Sequence, residues 1–376
     1  MEIKEYELGQ LLAYEQPTPY IVNSTKYSDK YKTPVLTAGK SFIIGYTNEE
    51  TGIYDSLPVI IFDDFTTSSK YVDFKFKVKS SAMKILTANT QLVLPKYIFY
   101  RMQIINIDHS THKRYWIQYY SKLKIQIPAI SVQEKIVRKI EELFSELDKS
   151  VEILQIIKQQ LEVYRQAVLK EAFASLHDKI QIRNISSMVT SGSRGWAKYY
   201  SEEGARFIRI TDLTRNHIKL KNDAIQRVRL PQNVEGRRSR LHGGDVLISI
   251  TADLGSIALI PNSIEESYIN QHIAVVRFNN AYQGEFMAWY LRSDYGQKDL
   301  LKNKRGGGKL GLGLDDIRNT VVPVVSNKIA DRIVEEIESR LSVCDSIEKT
   351  VDTALLQAEA MCQSILKKAF EGGFNE

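Results

Sequence analysis

"RQAVLKEAF" at residues 165–173 returns as "CQSILKKAF" at residues 362–370, an offset of 197. "EKIVRKIEE" at 134–142 and "DRIVEEIES" at 331–339 stand at the same offset of 197, so the likeness is a duplication with a fixed register. In the first copy, apolar residues fall at Ile136, Ile140, Leu143, Leu147, Leu154, Ile157, Leu161, Tyr164 and Val168, a heptad-type spacing broken only at Ser150, where Val151 stands in. The second copy keeps the phase with Ile333, Ile337, Cys344, Ile347, Val351, Ala354, Ala358, Met361 and Ile365, and its later positions are smaller. Neither copy contains Gly or Pro, and Pro128 precedes the first. A helix of about 40 residues runs roughly 60 Å, longer than a domain core needs. Two narrow apolar stripes in one chain bury most easily against each other, the smaller residues of one admitting the bulkier residues of the other.

Around the repeats lie 128 residues before the first and about 150 between the two. The layout is therefore domain (1–128), helix (129–176), domain (177–323), helix (324–376), which a chain of 376 residues with 43% hydrophobic content can support as more than one core. No run of eighteen apolar residues occurs, and the charged start "MEIKEYELGQ" does not read as a signal peptide, which places the protein in the cytoplasm, with no membrane partner expected. Cys344 and Cys362 share one predicted helix, about 27 Å apart, too far to bridge, and read as small apolar residues.

The formal charge of +6 is unevenly spread. Residues 133–176 are net −1 and residues 328–371 net −3, so the excess base lies outside the repeats. The stretch 205–240 alone holds ten Lys/Arg against three Asp/Glu, which fits either a polyanion partner or a solvated basic surface. Short β-branched runs, "ARFIRI", "GDVLISI", "GSIALI" and "HIAVVRF", predict strands in an α/β-type second domain. "GEFMAWYLRSDYGQKDLL" at 284–301 predicts one amphipathic helix, followed by the basic glycine-rich "KNKRGGGKLGLGL" at 302–314. That loop lacks the Lys-Ser/Thr ending of a nucleotide-binding P-loop and suits contact with a phosphate backbone better.

With this layout, "VTSGSRGWAKYYSEEGARFIRITDL" (189–213), "GGDVLISITADLGSIAL" (243–259), "YINQHIAVVRF" (268–278) and "IPAISVQEKIVRKIEELFSELD" (127–148) resemble the DNA-specificity subunit of Type I restriction-modification systems. The resemblance covers essentially the whole chain and is strongest in its second half. It implies an α+β fold in which two globular target-recognition domains alternate with two long helices paired as an antiparallel coiled coil. Each domain would read one half of a split, asymmetric duplex DNA site. The helices would fix the spacing and help dock two modification (methyltransferase) subunits, which restriction subunits join. The chain itself would catalyse nothing and hold no cofactor or metal; S-adenosylmethionine, ATP and Mg2+ would belong to the partner subunits. Half-sites about one helical turn apart, roughly 34 Å, lie within reach of domains on helices of this length.

Candidate DNA contacts in the second domain are Ser193, Arg194 and Lys198 of "SGSRGWAK", Arg215, and Lys302, Lys304, Arg305 and Lys309 around the glycines. In the first domain they are Lys40, Tyr46, the run Thr66, Thr67, Ser68, Ser69 and Lys70, Lys84, and His112, Lys113, Arg114 and Tyr115. For any one of these, solvated surface competes with base contact. Asn270 and Gln271 read as amides joining two loops, and Trp116, Trp196 and Trp289 as core. Asp63 and Asp64, with Asp73 and Lys75 beyond them, only loosely resemble a nuclease carboxylate set, and His109 and His112 lack cysteine partners for zinc. Two alternatives share the composition: the specificity subunit of a fused restriction-methyltransferase enzyme, and a basic coiled-coil scaffold without sequence specificity.

Overall fold

A computed structural model of the chain describes residues 3–37, 41–105, 114–230, 235–280, 282–302, 304 and 311–371, the side chains of 235 and 282 excepted. The two repeats form helices of equal length, Ile130–Phe173 and Asn327–Phe370, 44 residues each. Both ends of one lie 197 residues from the corresponding ends of the other, the offset seen in the sequence. The chain divides into two units, Met1–Leu154 with Thr353–Glu376, and Gln155–Asp352, so each unit holds one globular domain and part of both long helices.

In the first unit, strands Leu12–Glu15, Met83–Ala88, Val59–Asp63 and Ser69–Val72 form an antiparallel sheet in that spatial order. A smaller sheet orders Ile43–Thr47, Thr33–Leu36 and Lys77–Val78. Strand Val59–Asp63 is buried throughout, with Ile60 and Phe62 in one core and Val59 and Ile61 in another, as side chains alternating across a sheet covered on both faces must be. The ribbon Lys4–Glu7 with Lys124–Ile127 leads into the first long helix. At this joint Gln133 is fully buried: its Oε1 accepts the Leu94 N–H at 2.8 Å, and its Nε2 donates to the carbonyls of Leu92 at 3.0 Å and Pro128 at 2.9 Å. Ile136, Val137 and Ile140 then enter the core beside Leu366 and Ala369 of the second helix.

The second unit has the sheet Ser186–Ser191, Ile273–Phe278, Val246–Ser249, Ile257–Leu259, all antiparallel. The expected runs "VLIS" and "IAVVRF" are its inner strands: Val246, Ile248, Ala274 and Val276 face the helices, while Leu247, Ile273 and Val275 face a second core. A further sheet orders Tyr200–Ser201, Gln226–Val228, Ala205–Ile208 and Ser267–Ile269. The ribbon Lys179–Gln181 with Val321–Pro323 leads into the second long helix. Ala330, one repeat offset from Gln133, packs there in an apolar core, so the two joints use different chemistry at one register position. The single helix expected over 284–301 is two, Tyr282–Arg292 and Asp294–Leu301. Ser293, buried between them, donates its hydroxyl to the Tyr290 carbonyl at 2.6 Å and accepts the Gly296 N–H, which caps the second helix.

Within each unit the long helices run antiparallel. In the second, Lys158 meets Asp352 at 2.7 Å, Arg165 meets Asp345 at 2.6 Å and Glu348 at 2.8 Å, and Glu171 meets Arg340 at 2.9 Å, one number rising as the other falls. Ile136, Ile140, Leu161, Val168, Ile333, Ile337, Cys344, Val351 and Ala358 are buried, while Leu143, Leu147, Leu154, Ile157 and Ile365 are half-buried. Two expected seam residues, Ile347 and Met361, are exposed, and Tyr164, also exposed, meets the other helix at its edge, where its hydroxyl accepts from Arg340 Nε at 3.2 Å. Arg165 takes the inward place of Tyr164, where its length lets the guanidinium reach two carboxylates, and Leu341 and Leu366 supply apolar contacts that the strict heptad phase overlooked.

Candidate nucleic-acid interface

In the second unit "SGSRGWAK" meets the segment Asn270–His272, which bonds in turn to Thr251. Ser193 bridges to Asn270, and an added side-chain carbon at Gly192 would come within 2.0 Å of the Ile269 carbonyl, so this turn needs glycine to lie so close. The rest of "SGSRGWAK" is pinned by Trp196, buried against Phe207 at 4.6 Å and Tyr268 at 5.7 Å between ring centroids. Arg194 and Lys198 are left exposed, the Lys198 Nζ standing 4.9 Å above the Tyr199 ring. On the other side, Thr251 Oγ1 and His272 Nδ1 share a hydrogen bond of 2.6 Å, Gln271 Nε2 lies 2.9 Å from His272 Nε2, and Asn270 Oδ1 accepts the His272 N–H at 3.0 Å. Gly311, at the close of the glycine-rich loop, bridges to Thr251, and the Leu312 N–H donates to the Ile250 carbonyl at 3.0 Å.

Thr251 and His272 are absent from the residues anticipated above. Their meeting follows from the antiparallel register that sets Ser249 opposite Ile273, which becomes readable once those strands are paired. Asn270 and Gln271 are half-buried and join loops, as their amide chemistry suggested. Arg215 holds the adjoining turn: its Nε donates to Asp253 Oδ1 at 2.9 Å and its Nη2 to the Leu254 carbonyl at 2.7 Å. Arg215 and then Ser256 keep the Asp253 carboxyl below its ordinary pKa against the opposing effect of burial. Lys302 lies 3.6 Å from Asp299, Lys304 is exposed, and Arg305 and Lys309 fall outside the described residues.

The basic run 205–240 is compensated in place at half of its cations. Arg209, Arg215, Arg227, Arg229 and Arg237 pair with Asp212, Asp253, Glu265, Glu203 and Glu266, so at least five of its ten cations have a local acid. Lys219, Lys221 and Arg240 are exposed.

In the first unit the hairpin after Val59–Asp63 is ordered by Asp63, whose oxygens accept the Phe65 N–H at 2.9 Å and the Thr66 hydroxyl at 2.6 Å. Thr67 holds a left-handed φ of 58°, and Ser68 and Lys70 are exposed beside it. Tyr46 is half-buried and Arg114 exposed, whereas Lys40, His112 and Lys113 lie outside the described residues. Three candidates are structural instead of DNA-facing. Ser69 is buried and accepts from Gln103 Nε2 at 2.8 Å. Lys84 is buried 3.6 Å from the equally buried Asp64. Tyr115 is buried, its N–H donating to the Asp64 carbonyl at 3.0 Å, while the Asp64 side chain accepts the Trp116 N–H at 2.8 Å. Asp63 and Asp64 are thus committed to turn and core, and no group of three or more metal-ligating side chains occurs among the described residues. Nor, among them, is any helix long and apolar enough to cross a membrane.

Residues 199–357 match the family model of the Type I restriction modification DNA specificity domain. The chain is 43% identical over 181 residues to the specificity subunit of the Type I restriction enzyme EcoR124I/EcoR124II of Escherichia coli, covering 45% of each protein. It is 24% identical over 281 residues to the EcoBI specificity subunit of Escherichia coli, covering 66% of this chain and 58% of that one. The chain therefore spans about half the length of these relatives. In fold it matches a chain of a type I R-M system solved for its complex assembly and conformational transition, with a TM-score of 0.73, 17% identity and coverage of 98% and 97%. It also matches the HsdS subunit of Thermoanaerobacter tengcongensis, with a TM-score of 0.51, 16% identity and coverage of 98% and 97%.

Proposed function

We propose that this chain, whose residues 199–357 match the Type I restriction modification DNA specificity domain, is the DNA-reading subunit of a Type I restriction-modification complex. Each globular domain reads one half of a bipartite, asymmetric duplex site. The long helices set the distance between the halves and dock two methyltransferase subunits, and restriction subunits complete the assembly. The chain makes and breaks no covalent bond; adenine methylation and DNA cleavage, with S-adenosylmethionine, ATP and Mg2+, belong to the other subunits, and the complex works in the cytoplasm.

The observation that carries this reading is the contrast between duplicated helices and unlike domains. The helices repeat at one offset, while the loops differ: "SGSRGWAK" reaches Asn270 through Ser193 and Gly311 reaches Thr251, which bonds to His272, in one unit, and an Asp63-ordered hairpin presents Ser68 and Lys70 in the other. A common frame carrying two different readers suits a two-part address. Each good base contact supplies about 1–3 kcal/mol of discrimination, and joining two weak readers makes the second contact effectively intramolecular. Exposed cations such as Arg194, Lys198 and Lys304 add phosphate affinity without sequence information. Co-expression with the neighbouring methyltransferase, followed by sequencing of modified adenines, tests the reading. A split motif with a gap of constant length is expected; an absent or continuous motif overturns it.

A further inference from the structure

We propose that the pocket bounded by Glu162, Val163, Arg165, Gln166, Asn216 and Arg292 is a socket for a carboxylate side chain of a protein partner, the methyltransferase subunit; the identity of that partner rests on the function proposed above.

The pocket, a cavity of about 240 Å3, lies in the second unit where helix Tyr282–Arg292 ends against the first long helix. Two arginines line it, Arg165 and Arg292, with Arg215 nearby; Arg165 is already matched by Asp345 and Glu348, and Arg215 by Asp253. Arg292 is not. Its Nε is shut off from solvent without a hydrogen-bond partner, and among the described residues no hydrogen bond or ion pair reaches its guanidinium. Burial first, then the Arg215 and Arg165 charges, pushes its pKa down to about 10 against the opposing effect of Asp294, which forms no ion pair with it. A planar carboxylate is the natural complement, because the guanidinium fork can bind both its oxygens at once. The amides of Gln166 and Asn216 line the same cavity and supply further N–H donors.

The surroundings favour a protein over a DNA phosphate. Val163, on the pocket wall, is 70% exposed, and Ile156, two helical turns earlier on the same face, is 44% exposed. Glu162 lines the pocket as well. Exposed apolar residues beside one unmatched arginine have the composition of a protein interface, whereas a phosphate track gathers several solvated cations.

The test uses the full chain and its methyltransferase, with Arg292→Gln and Arg292→Lys, each first checked by thermal melting. Assembly is titrated by calorimetry, and duplex DNA binding by the chain is measured in parallel. The socket predicts that Arg292→Gln weakens assembly about 30-fold or more, that Arg292→Lys, keeping charge but losing the fork, falls between, and that DNA affinity is unchanged. Wild-type assembly with an unaffected Arg292→Gln overturns the socket and leaves the proposed function standing. Lost DNA affinity with assembly intact assigns the pocket to a phosphate and also overturns it. Failure of the wild-type chain to assemble overturns the proposed function and the socket's partner together. If Arg292→Gln does not fold, Arg292→Lys decides alone: unchanged assembly overturns the proposal.

Discussion

The imidazole of His217 stands edge-on to Trp289, 5.0 Å between ring centroids, and its Nδ1 accepts the Lys219 N–H at 3.0 Å. Burial, ahead of the nearby Lys219 charge, pushes its pKa down to about 4. The unfolded chain takes up this proton near pH 6.5, the folded chain only near 4, so the contribution to stability is fully present above 6.5 and is lost as pH falls through that window. Urea denaturation between pH 7 and 4.5 should show the second unit weakening as pH falls, and His217→Gln should flatten that dependence; an unchanged slope in the variant contradicts this account. Lys84 shows the limit of reading at this scale. In "AMKIL" it looks like a cation available to DNA, yet it is spent on Asp64, twenty residues away in sequence. Only tertiary pairing can distinguish a buried lysine from a solvated one.

At the scale of the element, the long helices were legible because a buried stripe must recur every three or four residues and because a second copy at one offset confirmed the first. The exact inward positions were less so. An α-helix drifts against a strict heptad, and the drift turned Tyr164, Ile347 and Met361 outward while Arg165, Leu341 and Leu366 turned in. Substitution checks this assignment. Ile140→Ala, at a fully buried position, should cost about 2–5 kcal/mol in chemical denaturation, whereas Ile347→Ala, at an exposed one, should stay within about 0.5 kcal/mol. Comparable losses from the two would contradict the seam as described. The break at Ser293 was hidden for a different reason: serine in an amphipathic run carries no mark of whether its hydroxyl will cap a new helix or face solvent.

Across the whole molecule, the two long helices could be read from the repeats, but the candidate interface could only be read in fragments. The basic run 205–240 suggested a concentrated positive surface, and the fold answers at least five of its arginines with local acids drawn from as far off as Glu265 and Glu266. Of that run Lys219, Lys221 and Arg240 stay exposed, and outside it Arg194 and Lys198 are exposed on the loop that reaches Asn270 through Ser193, a contact spanning distant stretches of sequence. The central claim is that two independent readers share one helical frame. Its most direct test replaces residues 1–128 with the equivalent domain of a relative, co-expresses the hybrid with the methyltransferase and sequences the modified adenines. One half of the split motif should change while the other half and the gap persist. A change in both halves would contradict the claim.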